Sequence, residues 1–217
     1  MELTVQWENV LLLIMAMAMF YIAISTRLEV YLRVLSLQGV FLFILASLSI
    51  NGFNATLLLI FFETIIIKAL LTPWYIMRVM QQNNIKRETE PRITNFLSFL
   101  SLLFLGLLGV LVNIGLRSIH LEAIKSNYVG VAVFIFMVGI FILLTRKKLI
   151  THIIGYVFLE NGVFLLSLGM SGKLPHLITL GVALDAFGWI LLVGLFARLI
   201  QSEFSSNDAN KLRRLRG

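Results

Sequence analysis

Long apolar runs alternate with short polar breaks along the chain, and the runs set its architecture. Seven of them, at 9–26, 34–50, 55–80, 96–116, 128–145, 150–170 and 177–200, come close to or exceed the roughly 20 residues that a helix needs to cross a hydrocarbon layer about 30 Å thick. Their apolar residues are contiguous rather than alternating every second position, which makes a transmembrane β-barrel a poor alternative. A helix also satisfies its backbone polar groups within the segment, as lipid demands. The second and third runs are separated only by the turn-forming cluster Asn51-Gly52-Phe53-Asn54. The pattern predicts an all-α integral membrane protein with seven transmembrane helices.

Composition agrees. Of 217 residues, 59% are hydrophobic and 13% charged, with a mean hydropathy of +0.94, whereas soluble domains carry about 25% charged residues. A net charge of +7 would suggest nucleic-acid binding in a soluble protein, but here the basic residues lie between the apolar runs and report orientation instead. With seven crossings the termini fall on opposite sides. Of the 18 Lys and Arg, all but Lys68 lie outside the spans or at their ends. Only Arg117, Lys125 and Lys173 fall on the side of the N-terminus. The basic side is cytoplasmic, which predicts an outside N-terminus and an inside C-terminus. The first ten residues hold Glu2 and Glu8 but no Lys or Arg, unlike the basic start of a cleaved signal peptide, so the first span is predicted to be retained. The chain has no cysteine, which removes disulfides, thiolate metal ligands and cysteine nucleophiles. No phosphate-cradling glycine loop, HExxH or GxSxG is present, and no polar stretch is long enough to form a domain. Function therefore lies inside the membrane or with other subunits.

An internal repeat organises the spans. Leu37-Gln38-Gly39-Val40-Phe41-Leu42 in the second resembles Glu160-Asn161-Gly162-Val163-Phe164-Leu165 in the sixth, and an acid follows in the next span of each half, Glu63 and Asp185. Residues 1–80 and 128–200 then form two three-helix units. Residues 81–127 join them through a cytoplasmic loop, a linker helix and an outer loop, and 201–217 form a basic cytoplasmic tail. Because the linker adds one crossing, the units run parallel.

Four ionisable residues sit well inside the spans: Glu63, Lys68, Glu160 and Asp185. Each costs at least about 2.5 kcal/mol near a helix centre, so it faces protein, a partner or water. On an α-helix Glu63 and Lys68, five positions apart, lie about 140° from one another, which argues against their pairing. The structural reading makes these residues packing devices. The functional reading makes the acids proton carriers, since burial and a neighbouring ammonium pull a carboxyl's proton affinity in opposite directions. Gly155, Gly162 and Gly169 form a stripe that lets another helix approach closely, and Glu160 points about 160–180° away from it. In the seventh span, Gly181 and Gly188 lie within about 60° of Asp185. One arrangement docks the sixth and seventh helices with Asp185 beside a close seam and Glu160 facing a polar path.

Gln38 and Asn161, at equivalent repeat positions, are accessory candidates for interior hydrogen bonding. His152, near the cytoplasmic end of its span, is a candidate proton-entry group, although a histidine at that depth is commonly just solvated. His120 and His176 lack a third ligand at metal-like spacing. Pro73 is a candidate kink, and Trp74 and Tyr75 suit an interfacial aromatic belt.

Leu159-Glu160-Asn161-Gly162 in the sixth span and Ala183-Leu184-Asp185-Ala186-Phe187-Gly188 in the seventh resemble the NuoK subunit of respiratory complex I. That family has three helices, with one glutamate in each of the last two. The resemblance places its glutamates on Glu160 and Asp185, with aspartate one methylene shorter at the second position. Seven spans together with Tyr156-Val157-Phe158-Leu159-Glu160-Asn161-Gly162 are similar to the hydrogenase-4 component E (HyfE) family, longer NuoK-like subunits of group 4 nickel–iron hydrogenases and formate hydrogenlyase-type complexes. The resemblance implies a non-catalytic subunit of the prokaryotic inner membrane, set beside antiporter-like subunits. It would bind no cofactor itself; the nickel–iron centre and Fe–S clusters would lie in partner chains, and Glu160 and Asp185 in a proton path tuned by Glu63 and Lys68. The same carboxylates suit a subunit of a cation/proton antiporter without redox partners, a stand-alone secondary transporter, or a scaffold with structural acids.

Overall fold

The computed structural model describes residues 2–25, 27–49, 55–82, 93–119, 124–170 and Gly194. Met1–Val182 cluster as one compact unit and Ala183–Gly217 as a second. The seventh predicted span apart from Gly194, with Asp185 in it, and His120 and His176 lie outside the described residues.

All regular structure among the described residues is helical: α1 (Glu2–Ile24), α2 (Leu28–Ser49), α3 (Ala55–Phe61), a π-helical segment (Phe62–Leu71), α4 (Thr72–Gln82), α5 (Asn95–Ser118), α6 (Ser126–Thr145) and α7 (Leu149–Met170). With α3, the π segment and α4 forming one continuous rod, six helices among the described residues are long and apolar enough to cross a membrane. The protein is a multi-pass membrane protein. Two helices start earlier than their apolar runs suggest. α1 begins at Glu2 and α2 at Leu28. In α2, Glu29 in the first turn complements the positive end of the helix dipole, and Arg33 points its side chain outward.

α7 is the central helix. Within its apolar window 72% of residues are buried, against 11% in α5. One face of α7 packs on α6 through the glycine stripe. A Cβ added at Gly155 would lie 2.9 Å from Ile142 Cγ2, at Gly162 2.7 Å from the backbone N of Phe136, and at Gly169 2.9 Å from Tyr128 Cβ. Gly139 of α6 returns the contact, its Cβ position lying 2.6 Å from the backbone N of Leu159. Among the described residues, the partner of the stripe is therefore the preceding span, α6. Two backbones this close gain dispersion along the whole crossing, the form of association available where lipid is as apolar as the side chains. α5 joins α6 by a shorter version of the same contact, Gly109 against Gly130, and leaves Phe96, Phe104, Leu107 and Leu111 exposed on its other side.

A polar clamp gathers the helix ends on the side of the N-terminus. Lys125 Nζ lies 2.9 Å from Glu8 Oε1 and donates to Ser49 Oγ at 3.2 Å, while its backbone N–H donates to Gly169 O at 2.9 Å. The C-terminal ends of α2 and α7 thus meet at one residue, so these helices run in the same direction, as a parallel repeat requires. Beside the clamp Asn127 donates to Asn9 Oδ1 and accepts from Asn113 and Arg117.

The contact between α6 and α7 yields a measurable contrast. Gly162→Ala should destabilise the full chain in detergent by about 1–3 kcal/mol, because the new methyl meets backbone that cannot rotate away. Gly115→Ala, where a Cβ meets nothing within 4 Å, should leave the thermal midpoint unchanged or raise it slightly. Equal midpoints for the two variants would contradict the packing.

Candidate functional site

Away from its glycine stripe α7 buries two polar side chains, Glu160 on the opposite side and Asn161 about 100° from Gly162, 5% and 0% exposed. Phe164 follows one helical turn after Glu160 and so shares its side of the helix. α2 meets α7 through Gln38, also fully buried, whose Oε1 accepts a hydrogen bond from Asn161 Nδ2 at 3.1 Å. The two amides that occupy equivalent repeat positions are therefore bonded to each other across the α2–α7 seam. Gln38 Nε2 and Asn161 Oδ1, one donor and one acceptor, keep hydrogen-bonding capacity beyond this contact.

The next residue of α2, Gly39, receives the π segment. A Cβ there would stand 2.8 Å from Thr64 O and 3.0 Å from both Ala69 N and Ala69 Cβ. The π segment carries the acid and base of the N-terminal half, both buried. Lys68 Nζ lies 3.5 Å from Glu63 Oε1 and 5.3 Å from the centre of the Phe164 ring. The ammonium thus gains an ion pair on its own helix and a cation–π contact on α7.

This pair corrects the argument from helical angles. An α-helix sets residues five apart on different faces. Between Phe62 and Leu71 the backbone is π-helical, and the Thr72 N–H bonds Ile67 O, five residues back. Hydrogen bonds of that span bring positions i and i+5 onto one face, so Glu63 and Lys68 meet. The candidate kink at Pro73 takes the same form: its ring clashes with the carbonyl four residues earlier in an α-helix, and the widened turns lie immediately upstream.

Two polar contacts thus reach α7 from the N-terminal helices, Gln38 on Asn161 and the Lys68–Glu63 pair on the Phe164 ring, and Glu160 precedes Asn161 in the α7 sequence. His152 stands apart in the first turn of α7. It is half-buried, and its backbone N–H bonds Lys148 O. No three His, Asp or Glu side chains among the described residues come together as a metal site. Arg146 escaped the sequence reading. It caps α6 at 2% exposure, and its Nε and Nη1 find no hydrogen-bond partner among the described residues. Nothing in the run Arg146-Lys147-Lys148 separates it from two solvated neighbours.

Residues 127–217 match the family of NADH-ubiquinone/plastoquinone oxidoreductase chain 4L, the NuoK family. The chain is 24% identical to an uncharacterised protein of Mycobacterium tuberculosis over 87% of its own length and 86% of the relative's. It is 29% identical to hydrogenase-4 component E of Escherichia coli over 82 residues, 38% of each chain, and equally to that of Shigella flexneri. No solved structure matches. These matches, on a helical membrane scaffold with a buried glutamate in the matched part, define a NuoK-like membrane protein. Within that class, the chain is similar to hydrogenase-4 component E over the 82 matched residues.

The amide bridge is open to a double-mutant cycle. Gln38→Leu or Asn161→Leu alone leaves a buried amide facing an aliphatic group and should cost about 1–3 kcal/mol. The double variant should cost clearly less than the sum, measured by thermal or denaturant unfolding of the full chain. Strict additivity would mean that the two side chains do not interact.

Proposed function

We propose that this protein is a membrane-arm subunit of a complex-I-like hydrogenase of the prokaryotic cytoplasmic membrane, and that Glu160 carries protons along the α2–α7 seam. Hydrogenase-4 component E is a component of a hydrogenase by name, and the same role is proposed here on the strength of the similarity. The supporting observation is the placement of Glu160. It is a buried carboxyl at mid-helix within the family-matched residues, one position before Asn161, which bonds Gln38. A carboxylate survives at such depth where polar groups or water face it. The free donor and acceptor of the amide pair supply places for water to bind along the seam.

On this reading Glu160 takes a proton from one aqueous side and releases it toward the other, and Asp185 is the next carboxyl of the path. The Lys68–Glu63 pair sets the local field, since its charges interact strongly where water is scarce. Orientation follows the asymmetry of basic residues, with the N-terminus outside and the seventh span returning the chain to the cytoplasm. A chain without cysteine cannot furnish the thiolates that hold Fe–S clusters, so electron transfer belongs to partner subunits, with antiporter-like subunits alongside.

Replacing Glu160 by Gln tests the reading, because the amide keeps the shape but exchanges no proton. The variant complex should retain its co-purifying subunits while proton uptake into inverted membrane vesicles, followed with a pH-sensitive dye, falls by about tenfold or more. Undiminished uptake would make Glu160 structural and remove the basis for the path.

A further inference from the structure

The π segment and the ion pair it carries occupy the same stretch of helix, and each accounts for the other. Glu63 and Lys68 lie within Phe62–Leu71, and their side chains meet because the backbone there is π-helical. The same residues in α register would stand about 140° apart and the pair would open. We propose that this segment is a two-state element, in which the ion pair holds the π register and neutralising Glu63 releases the segment into α register.

Several features bring the two registers close in energy. An α-helix is the ordinary ground state and a π-helix is rare, so relaxation to α needs no special driving force once the pair is lost. Opposing it, the Pro73 ring disfavours an α turn immediately upstream. Gly39 leaves open the space into which Thr64 O leans. The hydroxyls of Thr64 and Thr72 donate to Ile60 O and Ile67 O, at 2.7 and 2.9 Å, supporting the two ends of the segment. A proton arriving at Glu63 converts carboxylate to carboxylic acid and removes the Coulombic attraction to Lys68. The segment then holds one residue more than its α turns accommodate, and α4 turns relative to α3 by one residue's angle, about 100°. Lys68, resting on Phe164 of α7, is carried with it. Proton arrival in the N-terminal half is thereby converted into a rearrangement against the helix that bears Glu160. This use as a gate rests on the proton-path reading above; the coupling of charge to register does not.

The absence of native cysteine makes single-cysteine labelling of the full chain in native membranes a direct test. Met80 is buried near the polar end of α4, next to exposed Gln81. With Met80→Cys as reporter, a water-soluble maleimide should react slowly in the natural sequence. It should react severalfold faster when Glu63→Gln imitates the protonated acid, and likewise in Glu63→Gln/Lys68→Met, which leaves no buried cation alone. Deleting Ile66 removes the additional residue and sets Glu63 and Lys68 four apart, on one face of an α-helix. In that background the reporter should stay slow with or without Glu63→Gln. An unchanged rate in both pair-breaking variants of the natural sequence, or the same acceleration in the deletion background, would overturn the proposal. Because labelling requires no proton transport, a silent Glu160→Gln would sink the path and leave this outcome standing, and the converse holds equally.

Discussion

A lysine in the hydrocarbon layer has to find its counter-charge within a few ångströms, and that requirement shapes the N-terminal half of the molecule. At 1% side-chain exposure Lys68 has no route to bulk water, and its charge would cost several kcal/mol if left alone. The acid that compensates it lies on the same helix at a spacing that an α-helix cannot serve. The backbone gives way instead, widening into π turns over ten residues. The neighbour that borders this widening is a glycine, Gly39, and the residue before it, Gln38, bonds Asn161 of α7.

The C-terminal half solves a different problem with different chemistry. α7 must bury a carboxyl and an amide on one face while being held firmly on the other, and glycine contacts with α6 supply the holding without any polar group. Backbone contacts of 2.6–2.9 Å from the would-be Cβ positions leave little freedom to slide. One rigid wall and one polar wall hold the buried carboxyl and amide of α7 in a fixed setting. Lys125 then locks the ends of α2 and α7 together, so the polar face of α7 meets α2 in a defined register.

The family match clarifies how the halves divide the work. Glu160, Asn161 and Phe164 fall within residues 127–217, whereas Gln38, Glu63 and Lys68 lie outside them. A NuoK-like module supplies one side of the seam, and the N-terminal helices of this chain supply the other. The Gln38–Asn161 bond is where they join.

Much of this was legible in the linear pattern because lipid imposes simple rules. Apolar runs long enough to span the layer mark helices, and the six spans among the described residues lie where the runs do, within a few residues at most ends and six or seven at the starts of α1 and α2. An ionisable residue amid such a run stands out by cost alone, so Glu63, Lys68 and Glu160 were identifiable, as was the glycine stripe by its seven-residue spacing. What the pattern could not decide was which faces meet. Helical angles assumed a uniform α-helix and so separated Glu63 from Lys68, while the actual backbone changes its hydrogen-bond span locally in response to burial, Pro73 and Gly39. Likewise the stripe announced a close neighbour without naming α6, and Arg146 looked like any surface arginine until tertiary packing enclosed it. Burial cost is a property of single residues and can be read along a chain; pairing depends on distances between segments, which only the assembled helices determine.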